Sequence, residues 1–390
     1  MTFCVNKTLE NMFYFKGTKS ERVSNAIGGF SNPGNGHVII VSAYATRKYN
    51  CIQMRGVAHM LKVAVIGLGD ISNIHIPTIR NNPDVQLVAI CDIDESKSSG
   101  IEANFYSDYE EMLEKETLDC VHICLPHYLH YPVVKACVEK DLHVFLEKPL
   151  SHNLDTAKKI VQLEAAYPDV KMCICYQNRM NDTFETLYNI MENGEYGAIT
   201  GIKGLVAWHR PQTYYDEKPW RGKLAYAGGG VMINQAIHTL DLMQLIGGEI
   251  QSIKGSIDHL SDYGIEVEDT ATAKIAFESG FTGLFFSTVV NANNSSVDFQ
   301  VTFEKATFTI KDSILTKVDV HGEETVIIED QKLPGAKFYY GASHAKLINR
   351  FYEAIQTKTD DYIHVKEGLM AMKMIDAIRM SSQKHETITF

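Results

Sequence analysis

Leu61-Lys62-Val63-Ala64-Val65-Ile66-Gly67-Leu68-Gly69-Asp70-Ile71-Ser72 is the stretch on which the fold turns. A short β-rich run meets two glycines one residue apart and passes directly into helix-like spacing, which reads as strand, tight turn and helix start. Gly67 permits the turn. Gly69 lets the backbone approach a pyrophosphate, whose charge rests at the helix N-terminus with Asp70 and Ile71 beside it. Ser72 stands where this fingerprint ordinarily carries Gly or Ala, and its small size keeps the departure minor.

A glycine fingerprint alone is weak, but the next apolar run, residues 85–92, ends in Asp92, 20 positions beyond Ser72. A carboxylate there accepts hydrogen bonds from the adenosine ribose and repels a 2′-phosphate. Ile93 and Asp94 follow, rather than Arg or Ser, so NAD is expected in preference to NADP. Helix and strand then alternate: an acidic helix at 108–116, a strand at 119–125, a helix at 131–140 and a strand at 143–146. Alternation of this kind implies a Rossmann-type doubly wound parallel sheet, with ligands beyond the carboxyl ends of its strands. Leu125-Pro126-His127 and Glu147-Lys148-Pro149 fall at those ends.

After a helical stretch at 182–192 the pattern changes. Apolar β-rich segments recur at 199–207, 249–257, 270–277, 280–290, 297–303, 306–310 and 325–328, which read as a large, mostly antiparallel sheet. Residues 343–358 and 365–382 return to helical spacing. The expected organisation is a nucleotide-binding domain at 60–180 and an α+β domain at 181–390.

Composition narrows the function. A length of 390 residues favours two cores over one, and 45% hydrophobic with 22% charged residues is ordinary for a globular protein. A net charge of -11 disfavours a nucleic-acid partner. No run approaches the roughly 18 apolar residues of a membrane span. The eight cysteines, at 4, 51, 91, 120, 124, 137, 173 and 175, lack zinc-site spacing and sit mostly in apolar runs, as reduced buried thiols do. A cytoplasmic protein is expected. Residues 1–59 differ from the rest, with seven Lys and Arg against two Glu and no sustained periodicity. They read as a leader outside the fold, with translation starting at Met60; a targeting segment built on the apolar run 37–45 is the competing reading.

Glu147-Lys148-Pro149, the glycine fingerprint, Asp92, Cys124-Leu-Pro-His-Tyr-Leu-His130 and the segment Gly228-Gly-Gly-Val-Met-Ile-Asn-Gln-Ala-Ile-His-Thr-Leu-Asp241 together resemble the glucose-fructose oxidoreductase / inositol dehydrogenase (Gfo/Idh/MocA) family. The resemblance runs from about residue 61 to the end. It implies a Rossmann domain followed by an α+β domain whose open sheet serves oligomer contacts, hence a homo-oligomer acting on a small polyol or sugar. It also implies that Lys148 lies near the substrate oxygen and the nicotinamide, and it brings Leu125, Pro126, His130, Glu147 and Asn178 to the cofactor.

Oxidising a secondary alcohol needs a base for the hydroxyl proton and a cation for the charge developing on oxygen. Lys148 at a strand end supplies the cation. His238, in a helix-like run 231–246 behind three glycines, has a near-neutral ordinary pKa suited to proton transfer; the bland alternative is a helix histidine satisfied by Asp241. Many relatives carry Asp four residues before this histidine. Asn234 stands there instead, able to bond a hydroxyl but not to act as a base. Arg179, Arg210, Trp220 and Arg221 are the further substrate-side candidates, around a loop holding Tyr214 and Tyr215. His127 and His130, three apart, lack the partners of a metal site, and none is expected. Two other functions remain open: an NAD-assisted glycoside hydrolase or lyase using transient oxidation, which releases product without accumulating NADH, and a non-catalytic nucleotide-binding regulator.

Overall fold

The computed structural model describes residues 59–331 and 342–390. The leader expectation for residues 1–59 lies, His59 aside, outside them.

Six short strands form the first sheet: β1 (Leu61–Ile66), β2 (Val85–Cys91), β3 (Asn104–Tyr106), β4 (Cys120–Ile123), β5 (His143–Leu146) and β6 (Met172–Ile174). All pairs are parallel, in the order β3-β2-β1-β4-β5-β6. Continuous apolar runs make this possible, because both faces are covered: every β4 residue is buried, and only Lys62 of β1 is not. The strand order reverses between β1 and β4. Register pairs Ile66 with Ile123, and Ile123 with Leu146. Gly67, Cys124 and Glu147, each one residue further along, therefore emerge side by side at the carboxyl edge.

The second sheet is mixed and mostly antiparallel, with nine strands: β7 (Ile199–Ala207), β8 (Ile250–Asp258), β9 (Thr270–Phe277), β10 (Thr282–Thr288), β11 (Asp298–Phe303), β12 (Ala306–Lys311), β13 (Ile314–Asp319), β14 (Glu324–Glu329) and β15 (Ile388–Thr389). Their order is β14-β13-β12-β11-β7-β10-β9-β8-β15, and β7 with β10 is the parallel pair. The period is two: Ile202, Gly204 and Val206 of β7 turn inward while Lys203 turns out. A methyl on Gly204 would lie 2.5 Å from Thr239, so the helix Ile237–Gly247 rides directly on this strand.

Three strands escape the sequence pattern. β3 and β15 are only three and two residues long, and β13 buries Leu315 alone, so its alternation is faint. The helix expected at 231–246 is in fact two, Val231–Asn234 and Ile237–Gly247, interrupted at Gln235-Ala236. The C-terminal helix Leu369–Lys384 packs on β8 and on the helix Leu154–Ala166 of the first sheet's layer, while Ser343–Thr357 packs on Ser72–Asn81.

Candidate active site

Beyond the carboxyl edge of the parallel sheet opens a cleft of about 1880 Å³ lined by residues from both sheets. Ligand pockets commonly hold ~300–1,000 Å³. The larger space suits two molecules, a dinucleotide and a second, smaller one.

At one end lies the glycine turn. Gly67 has φ +96°, and a methyl on it would sit 2.4 Å from the Cys124 carbonyl oxygen, so the close approach of β1 and β4 requires glycine. Gly69 faces open space, with no atom within 4 Å of where a methyl would stand, which leaves its backbone approachable by a phosphate. Asp92 Oδ2 accepts from Leu68 N at 2.7 Å and Oδ1 from Lys97 Nζ at 3.0 Å. The carboxylate is thus locked to the glycine turn. Gly67, Gly69, Asp70, Ile71, Asp92, Leu125, Pro126, Glu147 and Asn178 all line the cleft, and they fit a bound dinucleotide.

Ser72 and His130 do not line it, contrary to expectation. The Ser72 hydroxyl donates to the Gly69 carbonyl at 2.6 Å and is buried, closing the turn. His130 spans the Leu125 and Pro149 carbonyls with its two ring nitrogens, at 2.9 and 2.8 Å, clamping the two strand-end loops together. His127, in the strand-end turn named above, lines the cleft, with Nδ1 on the Ala227 carbonyl at 2.7 Å. Both ring nitrogens of His130 face carbonyl oxygens, so that ring has none turned to a metal shared with His127.

Lys148 and His238 meet in the middle. Lys148 Nζ donates to the backbone carbonyl of Asn234 at 2.9 Å. Burial pushes the ammonium below its ordinary value, Glu147 opposes this, and the guanidinium charges of Arg221 and Arg210 add to it. Gln177 Nε2 lies 3.3 Å from His238 Nε2 and donates to it, which places the ring proton on Nδ1, an atom with no partner among the described residues. Burial, then the Lys148 charge, holds His238 well below its usual pKa, so it is neutral and able to take a proton. Asp241 does not satisfy it. That carboxylate is taken by Arg179, whose Nε and Nη2 bond it at 2.8 and 2.7 Å while Nη1 bonds Glu367. Arg179 is therefore a buried cross-link and not a substrate ligand, correcting the sequence expectation.

Asn234 is corrected in part. It lines the cleft, but the break at Gln235-Ala236 removes the shared helix face with His238, and its amide points to the Gly229 carbonyl at 3.4 Å. The three glycines explain the placement. A methyl on Gly228 (φ +75°) would lie 1.6 Å from the His152 carbonyl oxygen, and one on Gly230 would lie 1.8 Å from that of Glu268. The chain is threaded between backbone following β5 and backbone preceding β9.

Behind Glu147 runs a buried chain that sequence gave no sign of. Tyr352 Oη is 2.6 Å from His122 Nε2, His122 Nδ1 is 2.7 Å from His75 Nδ1, and His75 Nε2 is 2.9 Å from Glu147 Oε1. With both rings neutral one assignment satisfies every atom: tyrosine donates to His122, His122 to His75, and His75 to the carboxylate. Burial alone raises Glu147, yet the His75 hydrogen bond and neighbouring positive charges outweigh it and keep the carboxyl well below its usual range. Glu147, Cys175 and His344 also bring potential ligand atoms within 4.8 Å of one another. Burial drives the Cys175 thiol well above its ordinary pKa and Glu147 is already engaged, so this donor set suits hydrogen bonding better than a metal ion.

Arg210, Trp220 and Arg221 line the cleft too. Arg221 and Lys218 both pair with Asp70, at 3.2 and 2.7 Å, tying this loop to the glycine turn.

A glycine turn at the switch point, a locked strand-end carboxylate and a half-buried lysine beside a neutral histidine define a two-domain, dinucleotide-binding oxidoreductase. Residues 61–173 match the oxidoreductase family with an NAD-binding Rossmann fold, and residues 184–309 match the GFO/IDH/MocA C-terminal domain. The chain belongs to the Gfo/Idh/MocA family. It is 27% identical to the Bacillus subtilis oxidoreductase YrbE, over 81% of this chain and 93% of that one. It is 25% identical to the myo-inositol 2-dehydrogenase of Thermotoga maritima, over 84% and 98%. Among solved structures, the WlbA dehydrogenase of Bordetella pertussis, in complex with NADH and UDP-GlcNAcA, shares 25% identity at a TM-score of 0.73, covering 85% of this chain and 98% of that one. Levoglucosan dehydrogenase, in complex with NADH and levoglucosan, shares the fold at a TM-score of 0.76 and 18% identity, covering 84% and 99%. Among the described residues no helix is long and apolar enough to cross a membrane.

Proposed function

We propose that this chain is an NAD-dependent dehydrogenase that moves a hydride between the nicotinamide and a secondary alcohol of a sugar, sugar derivative or cyclitol. The observation that carries the reading is the half-buried Lys148 ammonium and the neutral His238 ring, whose lone pair lies on Nε2, in the cleft that also holds Gly67, Gly69 and Asp92. Relatives that act on inositol or bind sugars support the substrate class. Nicotinamide, when bound, accepts or returns the hydride. Asp92 holds the adenosine ribose and disfavours a 2′-phosphate, which makes NAD the preferred cofactor over NADP. Lys148, fixed by the Asn234 carbonyl, donates to the substrate oxygen and stabilises its developing charge. His238 takes or returns the hydroxyl proton at Nε2, the nitrogen without a hydrogen, where the substrate hydroxyl displaces the Gln177 amide, together with Lys148. Trp220 and Arg221 face the sugar. Six free, buried cysteines among the described residues support a reducing, cytoplasmic setting, and the solvent-facing Leu284 of β10 supports self-association through the open sheet.

The test is NADH absorbance after mixing the protein and NAD with inositols, free sugars, glycosides and nucleotide sugars. NADH accumulation that disappears in Lys148→Met, with NAD still bound, supports the dehydrogenase. Product release without NADH turns the reading toward redox-assisted glycoside cleavage, and silence with NAD bound turns it toward a regulator.

A further inference from the structure

A ladder of alternating cations and rings lies along the far wall of the cleft. Asp70 pairs with Arg221, whose guanidinium carbon lies 4.0 Å from the centre of the Tyr214 ring. On the same ring, 5.5 Å away, rests Arg210, which is also 4.9 Å from the Trp208 ring. The two arginines differ in one respect. Arg221 is compensated by Asp70, whereas Arg210 has no carboxylate within ion-pair distance among the described residues. Arg210 Nη1 donates to the His209 carbonyl at 2.7 Å and to Asn294 Oδ1 at 2.9 Å. Among the described residues Nε and Nη2 have no partner, so this cleft-lining guanidinium keeps one edge of two parallel N–H groups unspent.

That edge matches the oxygen spacing of a carboxylate or a phosphate, which arginine binds in bidentate fashion. Two rings and two acceptors already orient it, so little ordering cost remains when an anion arrives. The pyrophosphate cradle does not account for it: Gly69 and Asp70 stand at the other end of the ladder, beyond the Arg221 and Tyr214 rungs. The charge also reaches the reacting end of the cleft, since Arg210 is among the cations that depress Lys148.

We infer that the substrate carries an anionic group, a carboxylate or a phosphate monoester, and that Arg210 receives it through the free Nε–Nη2 edge. This rests on the dehydrogenase reading for the word substrate, and the experiment separates the two. Only two tryptophans occur in the sequence, Trp208 and Trp220, and both line the cleft, so intrinsic emission reports binding there. The full chain loaded with NAD is titrated with glucose, glucuronate and glucose 6-phosphate, and with the corresponding galactose set, while NADH absorbance is followed in parallel.

The expected result is an acid or phosphate that binds about tenfold or more tightly than its neutral counterpart, as a charge-assisted pair allows. Added salt weakens it. Arg210→Gln reduces its affinity to that of the neutral sugar and Arg210→Lys retains part of the advantage, with NAD affinity unchanged in both as the check on folding. Whether glucuronate or the phosphate ester is favoured distinguishes the two anions. Equal binding of the neutral sugar, indifference to Arg210→Gln, or no binding of any anionic member at millimolar concentration overturns the inference. NADH formed from neutral sugars without an acid preference overturns it and leaves the dehydrogenase standing; Arg210-dependent acid binding without NADH from any member does the reverse.

Discussion

Lys148 and His238 are both displaced from their ordinary titration, and in the same direction. His238 takes a proton only when neutral, and burial holds it well below 6.5; Lys148 stabilises an alkoxide only as the ammonium, and burial lowers it from 10.5. The pH profile of kcat/KM for alcohol oxidation is therefore expected to be a bell whose acid limb lies below pH 6.5 and whose alkaline limb lies below 10.5. An acid limb at or above 6.5 removes His238 from its assigned role. Asp92 carries a second expectation at this scale. Lys97, five residues further on, bonds its Oδ1 and is exposed enough to turn toward a ligand. In Asp92→Ser, NAD affinity falls roughly tenfold to a hundredfold, and NADP affinity rises because the repelling carboxylate is gone and Lys97 is released. Fluorescence titration with the two cofactors checks both halves; equal losses for NAD and NADP would show that Asp92 does not read the ribose.

Elements meet at the site through backbone contacts and one buried polar chain. Gly228 sits against the His152 carbonyl with positive φ, so Gly228→Ala must push apart two segments that have no flexible side chain between them. Its expected cost is about 3 kcal/mol or more, read as a fall in the denaturation midpoint, and Lys148 loses its Asn234 carbonyl with it. The helix Ser343–Thr357 is tied to β4 by Tyr352 and His122. Tyr352→Phe leaves His122 Nε2 without a donor, a buried acceptor unsatisfied at a cost of ~1–3 kcal/mol. Urea denaturation measures it, and an unchanged midpoint would mean that a water or a tautomer change replaces the hydroxyl. The two-helix break at Gln235-Ala236 belongs here as well: it frees the Asn234 carbonyl to hold Lys148, which a continuous helix would have used internally.

The whole molecule keeps several buried or half-buried histidines neutral. His122, His127 and His238 lie well below their ordinary 6.5, and His344 is lowered to about 4, burial being the leading cause in each. A folded pKa below the unfolded one means that the unfolded chain binds more protons as pH falls, so this stability is complete above pH 6.5 and is lost below it. Each such histidine costs up to about 1.4 kcal/mol per pH unit in that window, and Glu147, depressed as well, adds to the loss below its ordinary 4.5. Tm is expected to fall continuously from pH ~7 to ~5; a flat Tm over that range would mean that these rings are already charged in the fold.

Sequence alone determined the doubly wound sheet, its cofactor edge, the open second sheet, and Lys148 and His238 as cleft residues. The sheets and the cofactor edge follow from local rules: strand and helix periods, a glycine turn, and the alignment of parallel strand ends that puts Gly67, Cys124 and Glu147 in a row; Lys148 and His238 follow from the likeness of their motifs to those of the family. Tertiary structure decided which polar groups are spent and which are free. Arg179 and Arg210 look alike as an arginine after a strand, but the first is buried against Asp241 and Glu367 while the second keeps an open edge. His130 and His127 differ likewise by which carbonyls surround them, and the Tyr352–His122–His75–Glu147 chain joins residues as far apart as 230 positions. A side chain's availability depends on partners that only folding brings within hydrogen-bond distance, and no period or spacing along the chain encodes that distance.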